Sequence, residues 1–186
     1  MYHYIGNAWR MREDPRLRAL MIDWRKDEAV KALEKPTRLD KARMLGYKAK
    51  KGILVARVRV KRGGRKRSRP RKGRKSRRLT VHKVLKMNYR WVAEIRAQKK
   101  FENLEVLNSY FLSKDGTHYF YEVILVDPHR PEIKADPTLR WICSPQNRGR
   151  VYRGLTSAAK KSRGLRNKSP MNKNRPSVRA GKGRGK

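Results

Sequence analysis

A predicted strand at residues 53–61 leads directly into a long run of cations, and this arrangement limits how the chain can fold. Side chains alternate between the two faces of a strand. One face is therefore expected to pack on a core through Leu54, Ala56, Val58 and Val60. The other face is expected to present Arg57, Arg59 and Lys61 to an anionic partner. After Gly63 and Gly64, residues 65–78 are rich in Arg and Lys and contain no acid. Such a run repels itself and cannot form a core, so it requires a polyanion.

The composition extends this requirement to the whole chain. Of 186 residues, 52 are Lys or Arg and 15 are Asp or Glu, which gives a formal net charge of +37. This balance indicates a nucleic-acid partner first and an anionic membrane second. Leu, Ile, Val and Phe make up only about a fifth of the residues, so we expect one modest core with basic extensions. No apolar run is long enough to predict a transmembrane helix, and the single cysteine, Cys143, excludes an intramolecular disulfide.

Two stretches before the central strand predict a helix and a loop. Pro15 is a typical first helical residue, and apolar residues at helical spacing follow it until Pro36 ends the pattern. These apolar residues are Leu17, Leu20, Met21 and Trp24. Residues 37–51 contain six cations and Tyr47, which could stack on an unpaired base. We therefore interpret residues 37–51 as a binding loop rather than a merely solvated one.

The C-terminal half predicts one more helix, a hairpin and a basic extension. Thr80 is expected to cap a helix with an apolar stripe that includes Val81, Val84, Leu85, Val92 and Ile95. Strands are predicted at residues 104–112 and 119–126, joined by a turn with Asp115-Gly116 at its centre. Residues 119–126 are expected to form the most buried strand.

The predicted fold class is α+β, with helices packed on a small mixed β-sheet of three to four strands. A parallel crossover is expected between the first two strands, because residues 62–103 leave room for a helical connection. We expect one body over residues 1–143 that includes the basic loop 62–78. Residues 144–186 contain no acid and are expected to form a largely irregular, basic, RNA-binding extension, with a short helix near Ser157.

No residue pattern favours an enzyme or a metal site. His3, His82, His118 and His129 are far apart, and no phosphate-binding loop is present. Ser157 and Lys160 match an S-x-x-K pattern but lack its companion motifs. No pair of acids suggests general acid–base chemistry. We therefore expect no catalytic residue.

The cations are distributed over a strand, a loop, helices and a tail, which favours a folded RNA as the partner. A sequence-specific DNA reader usually concentrates its base contacts on one helix. An architectural DNA-compacting protein is the main alternative, but no repeated unit or apolar wedge supports it. An RNA-processing enzyme is a third possibility, opposed by the lack of a catalytic constellation.

Four stretches resemble a known family. They are PTRLDKARMLGYKAKKG (residues 36–52), VRVKRGGRKR (58–67), LEVLNSYFLSKDGTHYFYEVILVDP (104–128) and RGLTSAAKKSRGL (153–165), and Tyr4 and Trp9 also fit. They resemble the fifteenth e-type protein family of the archaeal and eukaryotic large ribosomal subunit. The short tail at residues 176–186 is similar to the archaeal form.

The resemblance implies a structural constituent of the large subunit that binds large-subunit rRNA beside neighbouring ribosomal proteins. It implies a cytoplasmic, ribosomal location, no membrane association, no homo-oligomer, and no cofactor beyond Mg²⁺ bound to the rRNA.

The resemblance and the cation density together predict three groups of rRNA-binding residues. The first group is Arg38, Lys41, Arg43, Tyr47, Lys48, Lys50 and Lys51. The second is Arg57, Arg59, Lys61, Arg62, Arg65, Lys66, Arg67, Arg69, Arg71, Lys72, Arg74, Lys75, Arg77 and Arg78. The third is Arg148, Arg150, Tyr152, Arg153, Lys160, Lys161, Arg163, Arg166 and Lys168.

Overall fold

The computed structural model describes residues 2–9, 15–64, 68–69, 71–74, 77, 85 and 87–166. Its α-helices are α1 (Tyr2–Ala8), α2 (Pro15–Lys26), α3 (Leu39–Met44), α4 (Tyr89–Lys100), α5 (Pro131–Lys134) and α6 (Ser157–Ser162). Its strands are β1 (Val30–Leu33), β2 (Ile53–Lys61), β3 (Glu105–Lys114) and β4 (His118–Val126). Two 3₁₀ helices, Arg140–Cys143 and Pro145–Asn147, follow α5.

The four strands form one sheet in the order β1-β2-β4-β3, and every neighbouring pair is antiparallel. The α+β class is confirmed, but the predicted mixed pairing is wrong. The connection between β2 and β3 does contain a helix, α4, and the two strands run in the same direction. They are not neighbours, however, because β4 lies between them and pairs with β2 from Ile53–Val126 to Lys61–His118. The sheet therefore has no parallel ladder.

The turn between β3 and β4 forms as its sequence predicts. Asp115 Oδ1 accepts the backbone N–H groups of Thr117 at 2.7 Å and of His118 at 2.5 Å. These bonds let one side chain close the turn. Along β4 every residue from Phe120 to Val126 is buried, so the expectation of a deeply buried strand is confirmed.

One face of the sheet carries the larger core under α4. Ala56, Val58 and Val60 are buried there, and Leu54 packs against the same cluster, as the alternation along β2 predicts. Helix α4 begins at Tyr89, where Asn88 Oδ1 accepts the N–H of Trp91 at 2.8 Å. The helix was expected to start near Thr80, which lies outside the described residues. Leu85 is described and is not helical; its exposed fraction is 54%.

The opposite face of the sheet is also covered, and the sequence did not predict this. Leu17, Met21 and Trp24 of α2 pack with Ala42 of α3 over Phe120 of β4. Helix α2 starts at Pro15 as expected but ends at Lys26, so the assignment of Pro36 as its end is wrong. Between Lys26 and Pro36 the chain forms β1, which pairs with β2. Residues 37–51 were expected to be a loop, but they contain α3.

Residues 144–166 pack against the body instead of lying apart from it. Val151, Ala158 and Ala159 belong to the core under α4. The indole Nε1 of Trp91 donates to the Val151 carbonyl at 2.9 Å. The expected short helix near Ser157 is α6. In the described part of the chain, residues 144–166 therefore contribute to the same core as the body.

Candidate nucleic-acid interface

The cationic face of β2 is mostly occupied by α2 and the residues that follow it. The Arg57 guanidinium lies 4.8 Å from the centroid of the Trp24 ring and is hydrogen-bonded to Asp27 Oδ2. Its side chain is only 10% exposed. Arg59 donates to the Arg25 carbonyl, whereas Lys61 at the strand end is exposed. The expectation that this face is open to a partner is wrong for Arg57, because α2 was not placed there from sequence.

Some residues of the first predicted group make contacts inside the fold, and others lie on the exposed surface. Arg38 donates to Asp40 Oδ2 at 2.7 Å and lies 5.3 Å from the Trp9 ring centroid. Its side chain is 13% exposed. Tyr47 is half-buried and packs against the core beneath α2 and α3, so much of its ring is not available for stacking. Lys41 is half-buried, and Arg43 and Lys51 are exposed.

Lys48 and Lys50 converge on one acid. Their Nζ atoms lie 2.7 Å and 2.8 Å from Asp136 Oδ2. These two hydrogen-bonded ammonium groups, Lys48 first, hold the pKa of Asp136 well below its ordinary value. The Asp136 side chain is 2% exposed, while the lysines remain 39% and 44% exposed. The acid is thereby neutralised, and the surface around it keeps a cationic character.

The start of the basic loop is fixed by a tyrosine. Tyr89 Oη donates to the Gly63 carbonyl and accepts the Gly63 N–H, each at 3.0 Å. Gly63 has a φ of +96°, a conformation that side chains with a Cβ rarely adopt. Arg62 lies 5.2 Å from the Tyr119 ring centroid and donates to the Asp115 carbonyl at 2.5 Å. The loop therefore leaves the body at a defined position and direction.

The described cations of this loop are all exposed. They are Arg62, Arg69, Arg71, Lys72, Arg74 and Arg77. The other loop residues predicted to bind rRNA, Arg65, Lys66, Arg67, Lys75 and Arg78, lie outside the described residues, as does Lys168 of the third group.

Among its described members, the third group contains one buried cation. Arg150 is 9% exposed, and its Nη1 donates to the carbonyls of Val106 at 2.7 Å and Leu107 at 3.0 Å. Burial lowers its pKa, and the charges of Glu94 and Glu105 oppose that effect. Arg150 therefore connects the segment around residue 150 to β3, and most of the Arg150 side chain is not available to a partner.

A buried carboxylate completes this internal network. Glu94 is fully buried, and its two oxygens accept the hydroxyls of Ser109 and Thr156, each at 2.5 Å. Burial raises the pKa of Glu94, while both hydrogen bonds and the charges of Arg90 and Arg150 lower it. Hydrogen-bonded polar groups of this kind fix how α4, β3 and α6 meet.

The rest of the third group forms an open surface. Arg148, Arg153, Lys160, Lys161 and Arg166 are exposed, Arg163 is half-buried, and Tyr152 is 50% exposed. Sequence reasoning missed Trp141, which is 41% exposed and has the Arg150 guanidinium 4.9 Å from the centroid of its indole ring. Its neighbours Leu139 and Ile142 are buried. The available signal was its position in a stretch, residues 137–186, that has no acid.

Neither a metal centre nor a membrane span is found in the described part of the chain. No three His, Cys, Asp or Glu side chains among the described residues are grouped so that they could hold a metal ion. No helix in these ranges combines the length and apolar character needed to cross a bilayer.

The comparison with known families agrees with this distribution of cations. A family model described as Ribosomal L15 matches residues 1–181 of the chain. The match covers the sheet, the basic loop and the segment that packs under α4. The chain therefore belongs to the ribosomal L15e family, and it is a structural protein of the large ribosomal subunit.

Proposed function

We propose that this protein binds and stabilises folded large-subunit rRNA through Lys and Arg contacts to phosphates, spread over several parts of its surface. The observation that carries the proposal is the division of the cations. Some, such as Arg57 and Arg150, are used inside the fold. Among the described residues, many others are exposed on the end of β2, in the basic loop and along residues 148–166.

The acids support this reading because several of them are matched inside the fold. Asp27, Asp40 and Asp136 each form ion pairs with cations of the chain. No acid occurs after Asp136. A folded RNA presents converging phosphates to such a surface, and the planar fork of Arg is suited to bridge them.

The finer expectations belong to the same proposal. The protein would lie beside other large-subunit proteins in cytoplasmic ribosomes, in its archaeal form, as a single copy that is not a homo-oligomer. It would have no catalytic role and no cofactor of its own, with Mg²⁺ present only on the rRNA.

Sedimentation of large subunits tests the proposal. The protein is expected to co-sediment with the subunit at low and moderate salt and to be released only at high salt, because counterions compete with its phosphate contacts. Competition with duplex DNA of matched length is the control. Release of the protein at moderate salt, or preference for the DNA, would contradict the proposal and favour a DNA-compacting protein.

A further inference from the structure

We propose that Trp141 is a stacking site for one unpaired nucleobase of RNA. The inference rests on the proposed rRNA binding and adds a base contact to the phosphate contacts. Trp141 is 41% exposed, whereas Trp24 and Trp91 are 4% and 7% exposed and Trp9 is half-buried. An exposed large aromatic ring is informative, since most such side chains are largely buried.

The ring is held in place from below. The Arg150 guanidinium lies 4.9 Å from its centroid, and Arg150 is itself fixed by the carbonyls of Val106 and Leu107. Because Arg150 is only 9% exposed, the open surface of the indole lies away from it. A base on the open side would complete a stack of guanidinium, indole and base.

The backbone around the ring is equally constrained. Ile142, the next residue, is 1% exposed and anchors the 3₁₀ helix in a small core with Leu139 and Ile133. Asn147 Nδ2 donates to the Trp141 carbonyl at 2.5 Å. A rigid aromatic surface loses little conformational entropy on binding, which favours affinity.

The surrounding charges favour a nucleotide over an apolar protein segment. Arg140, Arg148 and Arg153 are exposed nearby in the chain, and residues 137–186 contain no acid. Arg153 Nη2 donates to the carbonyls of Gln146 at 2.5 Å and Arg148 at 2.8 Å, so this charge is positioned. The nearest preceding acid, Asp136, is paired with Lys48 and Lys50. Cations that hold a phosphate beside an aromatic ring that stacks the base are typical of single-stranded RNA sites.

Tyr152, an exposed aromatic residue that was also predicted to bind rRNA, is in a less suitable place. Burial raises its pKa, and the negative charges of Glu102 and Glu105 raise it further. The Arg150 guanidinium lies against the Trp141 ring, whereas among the described residues no such cation contact is found on the Tyr152 ring. This contrast favours Trp141 over Tyr152.

Tryptophan fluorescence of the full-length protein tests the proposal with two probes. One is an oligoadenylate of about eight nucleotides, within the range that one single-strand module contacts. The other is an abasic oligomer of the same length, which keeps the phosphates and lacks the bases. The oligoadenylate is expected to quench the emission, and the abasic oligomer is not. The quenching should be absent in Trp141→Phe and retained in Trp9→Phe.

Affinity measured by anisotropy of a labelled oligoadenylate gives a second readout. Trp141→Leu is expected to weaken binding roughly 5- to 150-fold, the range that stacking on one aromatic side chain accounts for. The slope of log affinity against log salt should not change, because no cation is removed. The matched control is Phe111→Leu, since Phe111 is 43% exposed in β3. It should change the affinity less than twofold.

The outcomes separate the inference from the function on which it rests. Equal quenching by both probes, or unchanged affinity in Trp141→Leu, would overturn the stacking site while leaving rRNA binding intact. Emission that responds to neither probe would also overturn it and would favour a protein partner for this ring. Failure of the protein to bind rRNA at all would instead refute the proposed function. If Trp141→Leu does not fold, the comparison of the two probes on the wild-type protein still decides.

Discussion

Replacement of Arg57 by Gln should destabilise the fold and leave RNA affinity nearly unchanged. The substitution removes a cation over the Trp24 ring, which contributes about 1–2 kcal/mol at a largely desolvated site. It also removes a charged hydrogen bond to Asp27, with a contribution of about 1–3 kcal/mol. Asp27 is 23% exposed and keeps Lys31 as a partner, so the lower part of that range applies. We expect a total loss of about 2–4 kcal/mol.

Lys61 provides the matched control, because it lies on the same face of β2 but is exposed. Lys61→Gln should leave stability within about 0.5 kcal/mol of wild type. In a chain of this size, Arg57→Gln should lower the melting temperature by about 4–16 °C. In RNA titrations at several salt concentrations, Lys61→Gln should have the larger effect of the two variants. Lys61→Gln should reduce the salt slope by about 0.7–0.9, and Arg57→Gln should not change it.

A double-mutant cycle identifies the cause of the destabilisation. The effects of Arg57→Gln and Asp27→Asn should not be additive, with a coupling of about 0.5–3 kcal/mol, because the two side chains contact each other. If Arg57→Gln melted at the wild-type temperature and weakened RNA binding as Lys61→Gln does, Arg57 would face the RNA. The packing of α2 on this face would then be refuted.

Three further predictions concern other parts of the fold. Thr156→Val removes the α6 cap and the hydroxyl donor to Glu94, and it should lower the free energy of unfolding in denaturant by about 2–4 kcal/mol. Thr156→Ser keeps the hydroxyl and should stay within about 1 kcal/mol of wild type. Equal losses in the two variants would contradict the role of the hydroxyl. Burial raises the pKa of Glu94 and Glu122 above the ordinary value of 4.5, so the folded state binds more protons than the unfolded state and this part of the stability is lost as pH rises. The stability of Glu122→Gln relative to wild type should therefore increase with pH above about 4.5 in urea titrations. A stability difference that does not change with pH would refute the raised pKa of Glu122. Gly63→Val should be destabilising by roughly 1–2 kcal/mol in thermal melts and should lower incorporation into the large subunit, because the φ of Gly63 is positive. Gly64→Val should do neither, since the φ of Gly64 is not positive and no atom lies within 4 Å of an added Cβ. Equal incorporation of both variants would count against a defined loop exit.

The parts of the fold that depend on short-range patterns were predicted from the sequence. The alternation of residues 54–60 placed Leu54, Ala56, Val58 and Val60 against the core. The Asp115-Gly116 turn fixed the β3–β4 hairpin, and the apolar run that follows it became the buried strand. In each case the signal lies within ten residues of the structure it determines.

The parts that depend on long-range packing were not predicted. Arg57 looked like a surface cation because its partners, Trp24 and Asp27, are about thirty residues earlier in the chain. Strand β1 has only four residues and is stabilised by pairing with β2, so no local pattern distinguished it from the end of a helix. The sequence also does not show which strand of the β3–β4 hairpin pairs with β2, and in the structure this strand is β4.

The basic C-terminal segment shows how composition can mislead. Residues 144–166 have no acid and few large apolar side chains, which is typical of an irregular extension. They pack on the body through small residues, Ala158 and Ala159, and through the buried hydroxyl of Thr156 on Glu94. Small side chains allow a close approach of α6 to α4, and no periodicity in the sequence reports that contact.

The salt dependence of binding to large-subunit rRNA tests the central claim most directly. If about ten of the exposed cations each displace a counterion from the RNA, log affinity should fall against log salt with a slope of about −7 to −9. Agreement with that value would mean that phosphate contacts from the loop and from residues 148–166 act together. A slope shallower than about −3 would contradict the account, because so few released counterions could not come from several separate surfaces.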